Sequence, residues 1–284
     1  MKSIYITILL FLAAGVISAQ PKALFTPGDQ TLFNDYLSYI EPYKKLPVDS
    51  LLEKTATFFL GKPYVAHTLE VTEEERVVVN LRAFDCTTFV ETVIALTNTA
   101  RQAKPSFGLF LDELQKIRYR EGQVQGYASR LHYTSDWVGE NERKGLVENI
   151  SRLLGGVKEE KQIHFMSSHR DAYKQLKSDD QTLKEIISME NEINRRDGFY
   201  YLPKAAIAFN ADRIPHMAMI AFTTSIKGLD VTHMGFSFRR DGRLSFIHAS
   251  SAKNRVVIDE QSLNDYCAGQ KSCSGIIVAV IKPG

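Results

Sequence analysis

One cysteine and two histidines in this chain have the residue types and the setting for nucleophilic catalysis. Cys86 follows Asp85 in the stretch Asn80-Leu81-Arg82-Ala83-Phe84-Asp85-Cys86-Thr87-Thr88-Phe89-Val90-Glu91. Beyond Asp85, Phe89, Val90, Val93, Ile94 and Leu96 recur at spacings of three and four, the period of a buried helix. Asp85 is placed to cap that helix, its carboxylate accepting from the free amides of the first turn. Cys86 is then the first helical residue, where the positive end of the helix dipole and unpaired N–H groups favour the thiolate. The plainer alternative is a small buried hydrophobe, which is what most free cysteines are.

The histidines are His233 and His248, on two strand-like runs joined by Asp241-Gly242, a strong signal for a two-residue hairpin turn. Counting outward from that turn, Arg240 faces Arg243, Phe238 faces Ser245, Phe236 faces Ile247, Gly235 faces His248 and His233 faces Ser250. Opposed residues share a sheet face, so the two histidines are diagonal neighbours, roughly 5–8 Å apart. A one-residue bulge would break this register. Gly235, Ser237 and Ser250 lie on the same face and leave room for a substrate. Taken singly, each histidine reads as a structural residue; taken together with the cysteine they form a nucleophile, a base and an orienter. The base takes the thiol proton and later gives it to the leaving amine, while the second imidazole fixes its tautomer.

The rest of the chain must hold those residues in place. Its 284 residues suffice for a substantial core. Lys+Arg 35 against Asp+Glu 33 is nearly balanced, so no basic face for nucleic acid is indicated. Met1 to Ala19 has a positive start at Lys2, an apolar run from Ile4 to Val16 and small residues at Ser18-Ala19, the pattern of a cleaved export signal. The apolar run is short for a bilayer span, so a retained anchor is the weaker reading. The protein is expected to be exported, periplasmic or extracellular, with no stable membrane span once the signal is removed. Export makes the three cysteines informative, since they cannot all pair within one chain. Cys267 and Cys273 are the expected disulfide, which leaves Cys86 as a free thiol.

Helical periodicity runs over residues 31 to 45 and 49 to 60, the latter ending at Gly61 with Pro63 beyond. Tyr64-Val65-Ala66 and Arg76 to Asn80 read as extended. From about 104 to 205 the chain is charged and mostly helical, with helices expected over Phe107 to Tyr119, Asn141 to Leu154 and Arg170 to Arg196. His132 to Trp137 reads as irregular and Gln162 to Phe165 as strand-like. No Pro/Gly/Ser linker flanks this stretch, so it is taken as an elaboration of one catalytic domain spanning 20–284. Short strands are expected over Met217 to Thr223, Val231 to Phe238, Leu244 to Ala249, Val256 to Ile258 and Ile276 to Ile281. This order argues an α+β fold, an antiparallel sheet with helices packed on one face.

With these residues in view, the chain resembles the NlpC-type, papain-like cell-wall cysteine hydrolases. Phe84-Asp85-Cys86-Thr87-Thr88-Phe89-Val90 resembles their nucleophile motif, Thr232-His233-Met234-Gly235-Phe236 their His-Val-Gly strand, and Phe246-Ile247-His248-Ala249-Ser250-Ser251 the strand carrying their third polar residue. Gly61-Lys62-Pro63-Tyr64-Val65 is similar to their Gly-x-Pro-Tyr element, whose tyrosine lines the cleft. The Cys-Thr-Thr-Phe-Val-Glu variant, the approach Leu229-Asp230-Val231-Thr232-His233 and the long helical middle look like the N-acetylmuramoyl-L-alanine amidase-like branch. The chain departs from the pattern where Thr87-Thr88 replaces Ser-Gly, where the glycine-rich stretch after Pro-Tyr is missing, and where Pro215-His216-Met217 opens the strand before the histidine. His216 is read as structural. The resemblance implies a Cys86–His233–His248 hydrolase with no cofactor and no metal, acting as a monomer on peptidoglycan or muropeptide fragments. Tyr64, Asp85, Thr87, Trp137 and Arg170 are its candidate substrate contacts. Trp137, with Tyr133, is a candidate sugar platform, core packing being the alternative; Arg170 is a candidate partner for a peptide carboxylate.

The expected bond is the amide between N-acetylmuramic acid and L-alanine, with γ-D-glutamyl-diamino acid endopeptidase activity the alternative. A catalytically silent peptidoglycan-binding module is a more distant one, since all three chemical positions hold competent residues. A zinc hydrolase built from some of the seven histidines has no His-Glu-x-x-His pattern behind it. The cysteine assignment makes a direct prediction: thiol titration of the unfolded, unreduced protein finds one reactive thiol. Three would refute the pairing, whose short loop is worth roughly 2 kcal/mol.

Overall fold

Asp85 has extended backbone (φ −93°, ψ −179°) and begins helix α3 (Cys86–Ala100). Its carboxylate accepts from the Thr88 N–H at 2.8 Å, and the Thr88 hydroxyl oxygen accepts from the Asp85 N–H at 3.0 Å. This reciprocal box satisfies two groups that a helix start otherwise leaves unpaired. From Thr88 to Ala100 every residue of α3 is buried. Two of its buried threonines satisfy their hydroxyls within the helix itself. Thr97 and Thr99 donate to the carbonyls of Val93 and Ala95, at 2.7 and 2.8 Å.

The computed structural model describes residues 23–282, and the export signal expected over Met1–Ala19 lies outside the described residues. Before α3 come α1 (Pro27–Ile40) and α2 (Val48–Phe58); after it come α4 (Phe107–Arg118), α5 (Thr134–Arg143), β1 (Val147–Asn149) and β2 (Val157–Glu159). Then follow α6 (Phe165–Ser168), α7 (Lys174–Lys177), α8 (Asp180–Asn194), β3 (Phe199–Pro203), β4 (Met219–Thr224) and β5 (Val231–Arg240). The chain ends in β6 (Arg243–Ser250), β7 (Arg255–Ile258), α9 (Leu263–Gly269) and β8 (Cys273–Ile281). The strands make one antiparallel sheet in the order β2-β3-β8-β4-β5-β6-β7, with β1 also paired to β8. The fold is α+β, as the order of elements predicts. Among the described residues no helix is long and apolar enough to cross a membrane.

Alternation along the strands divides the core. Met219, Ala221, Met234, Phe236, Ile247, Ala249, Ile277 and Ala279 join the cluster that includes α3, whose Phe89 packs edge-on against Phe236. Ile220, Phe222, Leu244, Phe246, Ile276 and Val278 point the other way, onto Ile207, Ile214, Leu263 and Cys267. The expectation of helices on one face is thus corrected: α9 and the segment around 204–214 cover the second face. A disulfide joins Cys267 of α9 to Cys273 at the start of β8, leaving Cys86 free.

The middle stretch departs most from expectation. The helix expected from Asn141 begins earlier, at Thr134, and stops at Arg143, just before Gly145 with its φ of +72°. The run from Arg170 to Arg196 is broken into α7 and α8, which pack Leu176, Ile186, Met189 and Ile193 around Tyr127 and Tyr133. The same stretch contributes β1, β2 and β3 to the sheet, so it is less helical than its composition suggests. Tyr64 and Val78 make only single bridges, to Phe84 and Leu24.

One buried ion pair ties these parts to α3. The Arg118 guanidinium donates to Glu91 at 2.6 Å and to the Val78 carbonyl at 2.7 Å, with both side chains 2% exposed. The Trp137 indole N–H reaches the other Glu91 oxygen at 3.3 Å. Glu91→Ala leaves Arg118 a buried charge without its carboxylate, which is expected to cost about 3–5 kcal/mol. Urea denaturation reads this as a lower midpoint at unchanged slope. A loss below about 1 kcal/mol, the range of an exposed pair, would show that the pair does not hold α3.

Candidate active site

Asp241 and Gly242, at φ +50° and +75°, make the left-handed two-residue turn expected of the β5–β6 hairpin. Outward from it Arg240 pairs with Arg243, Phe238 with Ser245 and Phe236 with Ile247, the register counted from sequence. Gly235 then passes so close to β6 that a Cβ there would lie 2.6 Å from the Ile247 carbonyl oxygen and 2.8 Å from the His248 Cβ. Only glycine fits, and the strands meet without displacing the histidines. His233 Nε2 and His248 Nδ1 are 2.5 Å apart, with the rings nearly perpendicular. A register shift does occur, but on the other side of β5, where Phe222 pairs with His233 and Thr223 with Val231. That irregularity sits beside His233, where bulges commonly re-aim a side chain.

Aromatic rings enclose the imidazole pair. Phe222 stacks on His233 with centroids 6.0 Å apart, Phe246 lies 4.1 Å from His248, and Tyr266 of α9 lies 6.1 and 5.8 Å from the two. Burial pushes both histidines down to about 3, with the neighbouring His248 adding to the effect on His233. Both are therefore neutral at neutral pH, the form a base requires. The second nitrogen of His248, Nε2, faces Asp259 Oδ2 at 3.3 Å. The sequence reading missed Asp259 and Tyr266. The β6–β7 pairing His248↔Val257, which only the structure supplies, puts Asp259 on the histidine face two residues onward.

Cys86 lies half-buried at the start of α3, its sulfur 4.0 Å from the Thr87 hydroxyl. The backbone of Met234, the residue after His233, is among the groups that favour its thiolate. No hydrogen bond joins the sulfur to an imidazole among the described residues; the side-chain partner is Thr87. Burial, then the Asp85 carboxylate, push the thiol up to about 11, against the hydrogen bonds that lower it. The expectation that the helix start favours the thiolate is corrected: in the resting protein burial wins and the group is a thiol.

The candidate substrate contacts fare differently. Burial foremost, with Cys86 and Asp85 adding to it, pushes the Tyr64 hydroxyl up from its ordinary value, and its backbone bridges Phe84, two residues before Cys86. Thr87 stands half-buried next to it. Asp85 Oδ1 is occupied by the Thr88 amide and hydroxyl, so Asp85 is foremost a cap. Trp137 and Tyr133 are 1% and 2% exposed and offer no ring face to a sugar, so their platform role is withdrawn. Their NH and OH bond Glu91 and Glu190, which is core packing. The Arg170 guanidinium donates to the Leu176 carbonyl at 2.8 and 3.1 Å and pairs with Asp180 at 2.9 Å, partners other than a substrate carboxylate. His216 bridges Glu53 and the Arg239 N–H, the structural part expected of it. Among the described residues no group of three or more His, Cys, Asp or Glu is arranged to hold a metal ion.

A family described as AmiA-like, N-acetylmuramoyl-L-alanine amidase-like, matches residues 54–276. Among solved structures, an N-acetylmuramoyl-L-alanine amidase from Bacteroides uniformis ATCC 8492 is 37% identical, with a TM-score of 0.78 over 83% of this chain and 99% of its own. A Bacteroides fragilis protein provisionally named a xylanase is 35% identical, with a TM-score of 0.76 over 80% and 99%. A Legionella pneumophila protein at 21% identity, with a TM-score of 0.65 over 90% and 94%, shares the fold. No curated protein matches the chain.

The thiol's environment sets its reactivity. Iodoacetamide modification of Cys86 is expected to be slow at pH 7 and to quicken roughly tenfold per pH unit toward about 11. A rate already level at pH 7 would mean that the thiolate is formed and that burial does not govern it.

Proposed function

The chain belongs to the N-acetylmuramoyl-L-alanine amidase-like family, and from that premise we propose an exported cysteine hydrolase that cuts the amide between N-acetylmuramic acid and L-alanine in peptidoglycan. In this reading residues 20–284 form one catalytic domain of the NlpC-type, papain-like kind, sent across the membrane by Met1–Ala19. The observation that carries it is the contact of His233 with His248, in a protein whose only free cysteine among the described residues feels the backbone of Met234, the residue after His233.

Cys86 is the nucleophile, His233 the base and His248 the orienting group. With His233 Nε2 engaged by His248, Nδ1 is the nitrogen left for the thiol. The resting pair is neutral, so proton transfer accompanies attack. As sulfur bonds to the carbonyl carbon, its proton passes to His233, and the carbonyl oxygen becomes an oxyanion. The Cys86 backbone N–H, free at the helix start, is the nearest donor for that oxygen. The imidazolium returns the proton to the departing nitrogen of L-alanine as the C–N bond breaks. Water, deprotonated by His233, then attacks the thioester; the C–S bond breaks, the lactyl carboxylate is freed and His233 returns the proton to the Cys86 sulfur. Tyr64 and Thr87 are retained as substrate contacts, Thr87 because its hydroxyl lies 4.0 Å from the sulfur and Tyr64 because it bridges Phe84, two residues before Cys86.

The test offers a muramoyl-tripeptide, the free tripeptide and xylan side by side, with products identified by mass. Intact tripeptide released from the first alone supports the amidase. Cleavage between D-glutamate and the diamino acid makes the protein an endopeptidase instead, and sugar release from xylan would displace both. Cys86→Ala is expected to lower kcat/KM by on the order of 10⁴-fold or more, with the melting temperature nearly unchanged. His233→Ala should match it, while His248→Asn or His248→Gln keeps partial activity.

A further inference from the structure

We propose that Asp259 is a positioning residue that fixes the proton order along the two imidazoles and so leaves His233 Nδ1 unprotonated toward Cys86. The proposal rests on the cysteine-hydrolase reading above and adds a member to its site. Asp259 is buried at the end of β7 and held on several sides. Its own N–H donates to the Phe246 carbonyl at 2.9 Å, and its carbonyl accepts from the Ser245 hydroxyl at 2.5 Å. Its Oδ1 accepts from the Gln261 N–H at 2.8 Å, which aims Oδ2 at His248 Nε2, 3.3 Å away.

The proton order follows from donor and acceptor types. A carboxylate only accepts, so the hydrogen of His248 sits on Nε2 and its Nδ1 carries a lone pair. Facing that lone pair, His233 Nε2 must carry the hydrogen across their 2.5 Å contact. A neutral imidazole has one N–H, so His233 Nδ1 is left as the base. When Nδ1 takes the thiol proton, the positive charge is shared along a chain that ends in the carboxylate.

Asp259→Asn separates this from mere packing. The Gln261 N–H can only donate, so it keeps the amide oxygen and turns the NH₂ toward His248 Nε2. That nitrogen must then accept, the hydrogen of His248 moves to Nδ1, and the order reverses along both rings. His233 Nδ1 becomes N–H and faces Cys86 without a lone pair.

The experiment is ¹⁵N NMR of the full-length mature protein with labelled histidine, the two signals assigned through His233→Gln and His248→Gln. In the unsubstituted protein both imidazoles should be the Nε2–H tautomer; in Asp259→Asn both should be Nδ1–H. On the muramoyl-tripeptide, kcat should fall about 10³–10⁴-fold in Asp259→Asn with KM within about twofold, and Asp259→Glu should recover part of it. An Nδ1–H tautomer on His248 in the unsubstituted protein overturns the proposal, even if Asp259→Asn fails to fold. So does an Asp259→Asn protein with unchanged kcat. The tautomers need no substrate, so a protein that has them and cuts no muramoyl peptide refutes the amidase reading alone.

Discussion

A charged residue in the middle of a helix buried on every side constrains this fold more than any other feature. Glu91 lies one turn beyond Cys86 in α3, where no water reaches it. Removing a carboxylate from water costs several kcal/mol unless a partner of good geometry replaces the solvent. Arg118 and Trp137 supply that replacement from α4 and α5. Arg118 is itself anchored on the Val78 carbonyl, so α3, α4, α5 and the segment before Cys86 are positioned together. The buried network thereby sets the start of α3, and with it the position of the sulfur.

The same burial decides the chemistry of the resting site. A helix N-terminus is worth about 0.3–1 kcal/mol to an anion, rising to about 2 in favourable cases. Desolvation of a buried titratable group reaches about 3–5 pKa units, several times as much. The larger effect prevails at Cys86, whose thiol rises to about 11, and at both histidines, which fall to about 3. All three groups are held in their neutral forms. In the proposed mechanism, activation then belongs to the proton transfer itself, and the orientation of the imidazole becomes the quantity the structure must control.

Orientation is what β6, β7 and α9 provide. Phe222, Phe246 and Tyr266 fix the ring planes, and Asp259 faces the outer nitrogen of His248. The disulfide at the end of α9 ties that helix to β8, near the centre of the sheet. The sheet is covered on both faces, so its strands are held from either side as well as by their neighbours.

What could be read without the structure was whatever short-range geometry specifies. The Asp85 cap and the helix behind it follow from a carboxylate next to free amides and from a period of three to four. The pairing of Phe236 with Ile247, and the meeting of His233 with His248, follow from a two-residue turn and a side-chain period of two. The disulfide follows from six residues of separation and an odd cysteine count. The middle of the chain was misread where tertiary packing overrides local preference: Trp137 falls inside a buried helix, Asn141 to Leu154 becomes a helix end and a strand, and Arg170 pairs within its own segment. Ionisation was misread at Cys86 for the same reason. Desolvation is summed over every atom around a group, most of them distant in sequence, so only the assembled fold fixes its value.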